Sequence, residues 1–140
     1  MPIRVEVRHE AMGVIYHCSG AMIIEDFLVA NEGFLATPDE IRKWRYTLID
    51  LSAVESMDIN YADVSRVITQ NSNIAVNAVP GVLLAVASPH DHGYGLARMW
   101  GVLVERVGWE TMTFRALSDA EDWIRRRVKE KFGIDLANAA

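Results

Sequence analysis

At 140 residues, 51% hydrophobic and 24% charged, the chain has the size and composition of one globular domain, able to bury about two-thirds of its unfolded surface. A net charge of −5 argues against a binder of the nucleic-acid backbone, and a single cysteine, Cys18, excludes an internal disulfide and fits a reducing compartment. The N-terminus, MPIRVEVRHE, lacks the apolar core of a signal peptide, and the longest apolar run, Val82 to Ala87, is far too short to span a bilayer; the expected location is cytoplasmic, with no transmembrane segment.

Ile3, Val5 and Val7 alternate with Arg4, Glu6 and Arg8, which predicts a half-buried edge strand. A turn through Ala11, Met12 and Gly13 leads to a second strand over Val14 to Cys18. Between Gly20 and Ala36 the period changes to that of a helix, with Ile23, Ile24, Phe27, Leu28, Asn31, Phe34 and Leu35 on one face. Thr37-Pro38-Asp39-Glu40 carries a capping-box pattern and predicts a short helical turn. Tyr46 to Leu51 is a third strand, and residues 60–78 a helix with Val64, Val67, Ile68 and Ala75 inward. The unbroken apolar run Val82 to Ala87 predicts a strand buried on both faces. A helix follows with Leu96, Met99, Trp100, Leu103, Val104 and Val107 on its stripe, then a strand over Thr111 to Ala116. Ser118-Asp119-Ala120-Glu121 is expected to cap a last helix, whose Arg125, Arg126, Arg127, Lys129 and Lys131 alternate with acids and read as a solvated face.

The order ββαβαβαβα predicts an α/β fold: a mixed, mostly parallel five-stranded sheet with an antiparallel pair at one edge and helices packed on it. A single domain is expected over residues 1–135, with residues 136–140 fraying as a tail.

Ile49-Asp50-Leu51-Ser52-Ala53-Val54, followed by Met57-Asp58 at the start of a helix, resembles the signature of the STAS domain family, named for sulfate transporters and anti-sigma-factor antagonists. Leu83 to Ser88, the helix with Val102-Leu103, and Ser118 to Trp123 resemble the later family elements in the same order, so the likeness covers roughly residues 3–130. It implies the SpoIIAA-like topology of the small stand-alone antagonists, and a partner protein docked on the segment after the Asp-Leu-Ser strand. The chain departs from the pattern where the family places a phosphorylated serine or threonine. It has Ile59, Asn60 and Tyr61 there, with Ala62 in place of a glycine. An amide cannot accept a phosphoryl group, and Asn60 is instead suited to cap the helix. The family's phosphorylation switch is therefore expected to be missing.

In an open α/β sheet, ligands bind beyond the carboxyl ends of the parallel strands. The segments expected at that rim hold Ser19, Asp50, Ser52, Ser88, His90, Asp91, His92 and Tyr94. His90 and His92 flank Asp91 in a glycine-rich stretch, but two loop histidines so spaced do not by themselves aim at one ion, no cysteine or glutamate completes a ligand set, and Asp91 suits a helix cap. No Walker loop, dinucleotide fingerprint or nucleophile elbow occurs. No catalytic residue, metal site or cofactor is assigned.

The expected function is thus a non-catalytic regulatory or protein-interaction module. Its docking candidates are Ser52, Ser56, Asp58, Asn60, Asp63, Arg66 and Gln70, on a loop over 52–60 and the helix after it. The alternative is a binder of a small apolar or anionic molecule at the strand-end rim. Self-association as a homodimer through the outer strand or the third helix is a further expectation, as is an interface patch if Met99, Trp100 and Trp109 are exposed together.

Overall fold

The computed structural model describes residues 2–137. Five strands, β1 (Ile3–Arg8), β2 (Gly13–Ile23), β3 (Tyr46–Asp58), β4 (Leu83–Ala87) and β5 (Glu110–Phe114), form one sheet in the order β1-β2-β3-β4-β5. β1 and β2 are antiparallel, and every later pair is parallel. The helices are α1 (Ile24–Phe34), α2 (Pro38–Lys43), α3 (Tyr61–Ala75), α4 (Asp91–Val104) and α5 (Leu117–Phe132), with a 3-10 turn at Glu105–Val107. The predicted α/β order and mixed sheet are both present.

Alternation along the strands sorts the core into two layers. Val14, Tyr16 and Cys18 of β2 join Leu84 and Val86 of β4 on the face covered by α1, α3 and α4. Ile15, Tyr46, Leu48, Leu83, Ala85 and Ala87 point the other way, onto Ala120, Trp123, Ile124 and Val128 of α5. Residues 82–88 are buried throughout, as a strand between two helical layers requires. Leu136 also packs into the α5 layer; residues 138–140 of the expected tail lie outside the described residues. Trp44 stacks edge-on against Trp109, with ring centroids 5.0 Å apart, and its indole N–H donates to Thr47 Oγ1 at 2.9 Å. Trp109 is buried there, which rules out an exposed Met99–Trp100–Trp109 patch.

The helix starts follow local chemistry. Thr37 Oγ1 accepts from the Glu40 N–H at 3.2 Å, with Pro38 at the first helical position. Asn60 caps α3 as expected: its Oδ1 accepts from Asp63 N–H, and the Asp63 carboxylate returns the bond to Asn60 N–H. Two expectations are corrected. α5 starts after Ala116 rather than at Ser118, and α4 is preceded by His90, which leaves Asp91 in the first turn.

Arg125, Arg126, Arg127 and Lys131 of α5 are paired with acids. Arg127 donates two bonds to the Glu110 carboxylate, at 2.6 and 2.7 Å, and Lys131 adds a third at 3.1 Å. Hydrogen bonding from Arg127 first, and Lys131 after it, outweighs the desolvation and holds the Glu110 pKa at about 2, against 4.5 for the free group. A carboxylate whose folded pKa is depressed stabilises the fold above its unfolded value. That contribution is expected to fade as pH falls from 4.5 through about 2. Urea titrations across this window should show a smaller loss of stability in Glu110→Gln than in the natural chain.

Candidate functional site

The segment expected to be a loop over 52–60 is a strand. β2 and β3 continue together past the end of β4, pairing Ser19 with Ala53, Gly20 with Val54, Ala21 with Ser56, Met22 with Met57 and Ile23 with Asp58. The ladder slips twice, between His17 and Ser19 and between Gly20 and Ala21, and each time β3 holds one residue more than β2. Those bulges put Leu51, Val54 and Met57 inward at intervals of three. A period of two, the usual mark of a strand, is absent, so the sequence pattern hid it. Asp50 supports the first bulge by accepting from the Ser52 N–H at 2.9 Å. The predicted α1 loses its first residues, 20–23, to this same arm.

The sequence-predicted residues fall into separate places. Ser19, Ser52, Ser56 and Asp58 are exposed along the arm, and Asp50 is half-buried at its base. Asn60 and Asp63 are occupied in the cap of α3, and Arg66 reaches Glu25 of α1 at 2.9 Å. Gln70 is half-buried. Its amide donates to Leu28 O and accepts from Asn31 Nδ2, tying α3 to α1.

The residues at the head of α4 do not converge on one point. Ser88 is buried and donates to His90 O at 3.0 Å, and His92 Nε2 donates to Met57 O at 3.0 Å. Asp91 pairs with Arg115 at 2.8 Å, while the same guanidinium lies 3.9 Å over the Tyr94 ring. Among the described residues, no group of three His, Cys, Asp or Glu side chains is placed to hold a metal ion.

Behind these two heads lies a cavity of about 90 Å³, between the sheet and α1, α3 and α4. Its floor is Tyr16, Thr47, Ile49, Leu51 and Val86. Its roof is Phe27 and Asn31 of α1, Val64, Val67 and Asn71 of α3, and Gly93, Leu96, Ala97 and Trp100 of α4. Gly93 lets α4 pack closely on the strand ends at one side of the space: a Cβ there would lie 2.7 Å from Ser88 Oγ and 3.3 Å from Met57 Sδ. Four polar side chains on the wall, Tyr16, Asn31, Thr47 and Asn71, have hydrogen-bond partners. Tyr16 Oη donates to Asn31 Oδ1 at 2.7 Å, Trp100 Nε1 to Asn71 Oδ1 at 2.9 Å, and Thr47 Oγ1 receives the Trp44 N–H. Burial pushes the Tyr16 phenol well above the ordinary range and the Cys18 thiol up to about 12, so neither group ionises near neutral pH.

No protein-family model matches the sequence, and none of the curated proteins matches it. Among solved structures the chain is similar to an uncharacterised protein of the DUF3478 family from Shewanella loihica PV-4, described as having a SpoIIAA-like fold. The TM-score is 0.54 at 15% identity, over 86% of this chain and 90% of that one. The fold is SpoIIAA-like. The resemblance carried by Ile49 to Asp58 therefore holds at the level of architecture. Within this SpoIIAA-like fold the cavity lies under the helices rather than at the outer rim, and sequence reasoning missed it. Its traces are Asn31, a polar residue on the apolar stripe of α1, and the buried small residues Gly93 and Ala97, one turn apart on α4. No described helix is long and apolar enough to cross a membrane.

Proposed function

We propose that the chain is a non-catalytic binding domain that holds a small apolar molecule between its sheet and α1, α3 and α4. The observation that carries this reading is the cavity wall, which is mostly apolar and whose Tyr16–Asn31 and Asn71–Trp100 pairs are each hydrogen-bonded across it. Such a wall carries no cationic group for an anion and offers an apolar guest a largely apolar surface. A guest of the right size is held by covering this apolar surface. Apolar cavities of on the order of 150 Å³ take up benzene or xenon, so this one fits a guest somewhat smaller than a benzene ring. Anything larger requires α3 and α4 to part, which breaks the Asn71–Trp100 bond between them.

Thermal melts under propane or cyclopropane, and separately in acetate or phosphate, test the proposal. A ligand at free concentration L that binds only the folded chain stabilises it by RT ln(1 + L/Kd), so Tm rises with the logarithm of its concentration once that exceeds Kd. Upward shifts with the hydrocarbons and none with the anions are expected. Shifts with the anions alone would return the site to the polar rim at Ser88 to Tyr94.

A regulatory role through a partner protein is a second reading, favoured by one observation. Tyr61, the first residue of α3, is 63% exposed, and Ile23 at the end of β2 is 46% exposed opposite Asp58. Both apolar side chains sit where the arm meets the head of α3 and are not used in the core. Tyr61→Glu is expected to abolish capture of such a partner while leaving Tm within a degree or so, because surface changes usually move stability by less than about 0.5 kcal/mol. Unchanged capture would remove this surface from consideration.

A further inference from the structure

β1 has a neighbour on one side only. The Ser19 N–H donates to Pro2 O at 2.8 Å, which fixes the phase of the ladder: Arg4, Glu6 and Arg8 direct their backbone groups to β2, while Ile3, Val5 and Val7 direct theirs outward. The side chains of Val5 and Val7 are 39% and 54% exposed, beside Val29 of α1 at 57%. Together they form one wall of an open apolar groove between β1 and α1. No described residue covers it.

We propose that this edge is completed by a second copy of the chain, antiparallel to the first and related to it by a two-fold axis through Val5. The register follows from charge. With the axis at Val5, Ile3 faces the other copy's Val7, and each Arg4 faces the other copy's Glu6 at the closer, non-hydrogen-bonded spacing, where side chains interact most strongly. Val5 then exchanges both backbone bonds with itself, and the Ile3 and Val7 positions do the same with each other, so every outward group is paired. An axis at Glu6 would set Glu6 against Glu6 and Arg4 against Arg8. An axis at Val7 would need His9 in the ladder, and His9 has a φ of +53, in the left-handed region. Arg4 makes no ion pair among the described residues, whereas Glu6 already accepts from Arg8 and from His17 Nε2 at 2.8 Å, which leaves it a fixed acceptor for a further cation. β5, at the opposite edge, has a single charged residue, Glu110, which Arg127 and Lys131 hold. On the helical side the two grooves merge, and Val5, Val7 and Val29 of both copies close over one another. The interface is isologous and ends there, so it gives a dimer with a continuous ten-stranded sheet rather than a fibre.

Light scattering after gel filtration of the full chain should report a dimer. Arg4→Glu should make it monomeric, because a carboxylate at that position then faces the other copy's Glu6. The double variant Arg4→Glu, Glu6→Arg should restore the dimer, with circular dichroism confirming the fold of each. Position is read by cysteine cross-linking. The facing residues of a hydrogen-bonded pair lie about 5.5 Å apart, within disulfide reach. Val5→Cys should therefore form a covalent dimer on mild oxidation, and Glu6→Cys and Val7→Cys should not; Cys18 is buried and gives no background. A monomeric natural chain at millimolar concentration overturns the proposal. So does a dimer that survives Arg4→Glu and fails to cross-link through residue 5.

Discussion

Trp44→Ala is expected to lower the stability of the fold by about 3–5 kcal/mol, the range for deleting a buried indole. The ring is 1% exposed and edge-on to Trp109, an arrangement worth about 0.5–1.5 kcal/mol beyond its buried area. Its N–H also satisfies Thr47 Oγ1 and Tyr46 O at the start of β3, so truncation leaves a buried hydroxyl without its donor. For a domain of this size the loss corresponds to a drop in Tm of roughly 10 °C or more. Trp44→Phe keeps a six-membered ring in the site but loses the N–H and the rest of the indole, so it should lose less than Trp44→Ala. Equal losses in the two variants, measured by urea or thermal melts, would mean that the packing of that ring contributes little.

The second large effect concerns the cavity. Ala97 faces it from α4, and Ala97→Leu directs three added carbons into the space. Apolar binding should be lost, with Tm unchanged or raised because a void is filled rather than a packed core overfilled. Val67→Ala is the converse. It removes two methyl groups from the roof, lowers stability by about 1–3 kcal/mol, and should let the domain take a benzene-sized guest that restores part of that loss.

Much of the architecture is legible in the sequence, for physical reasons. Val82 to Ala87 reads as a central strand because both its faces meet helices, and Ile3, Val5 and Val7 read as an edge because only one face does. The caps at Thr37 and Asn60 are visible because a side-chain oxygen there has one evident use. The arm over residues 19–23 and 53–58 is not legible, since two bulges replace the period of two with intervals of three. The candidate site is less legible still. Asp63 and Gln70 look like surface contacts in a helical pattern, yet one is bound into a cap and the other between helices. The distinctive His90-Asp91-His92 stretch is dispersed onto Met57 O and Arg115, whereas the cavity is made by ordinary apolar residues whose gap depends on how three helices meet the sheet.

Xenon titration followed by methyl NMR tests the apolar cavity most directly. In the natural chain, shifts should concentrate on the methyl groups of Val64, Val67, Leu96, Ile49 and Val86, which surround the space, and should saturate. In Ala97→Leu the same methyl groups should stay still at every xenon pressure. Shifts confined to the exposed Val5, Val7 and Val29, or undiminished at the cavity wall in Ala97→Leu, would contradict the account.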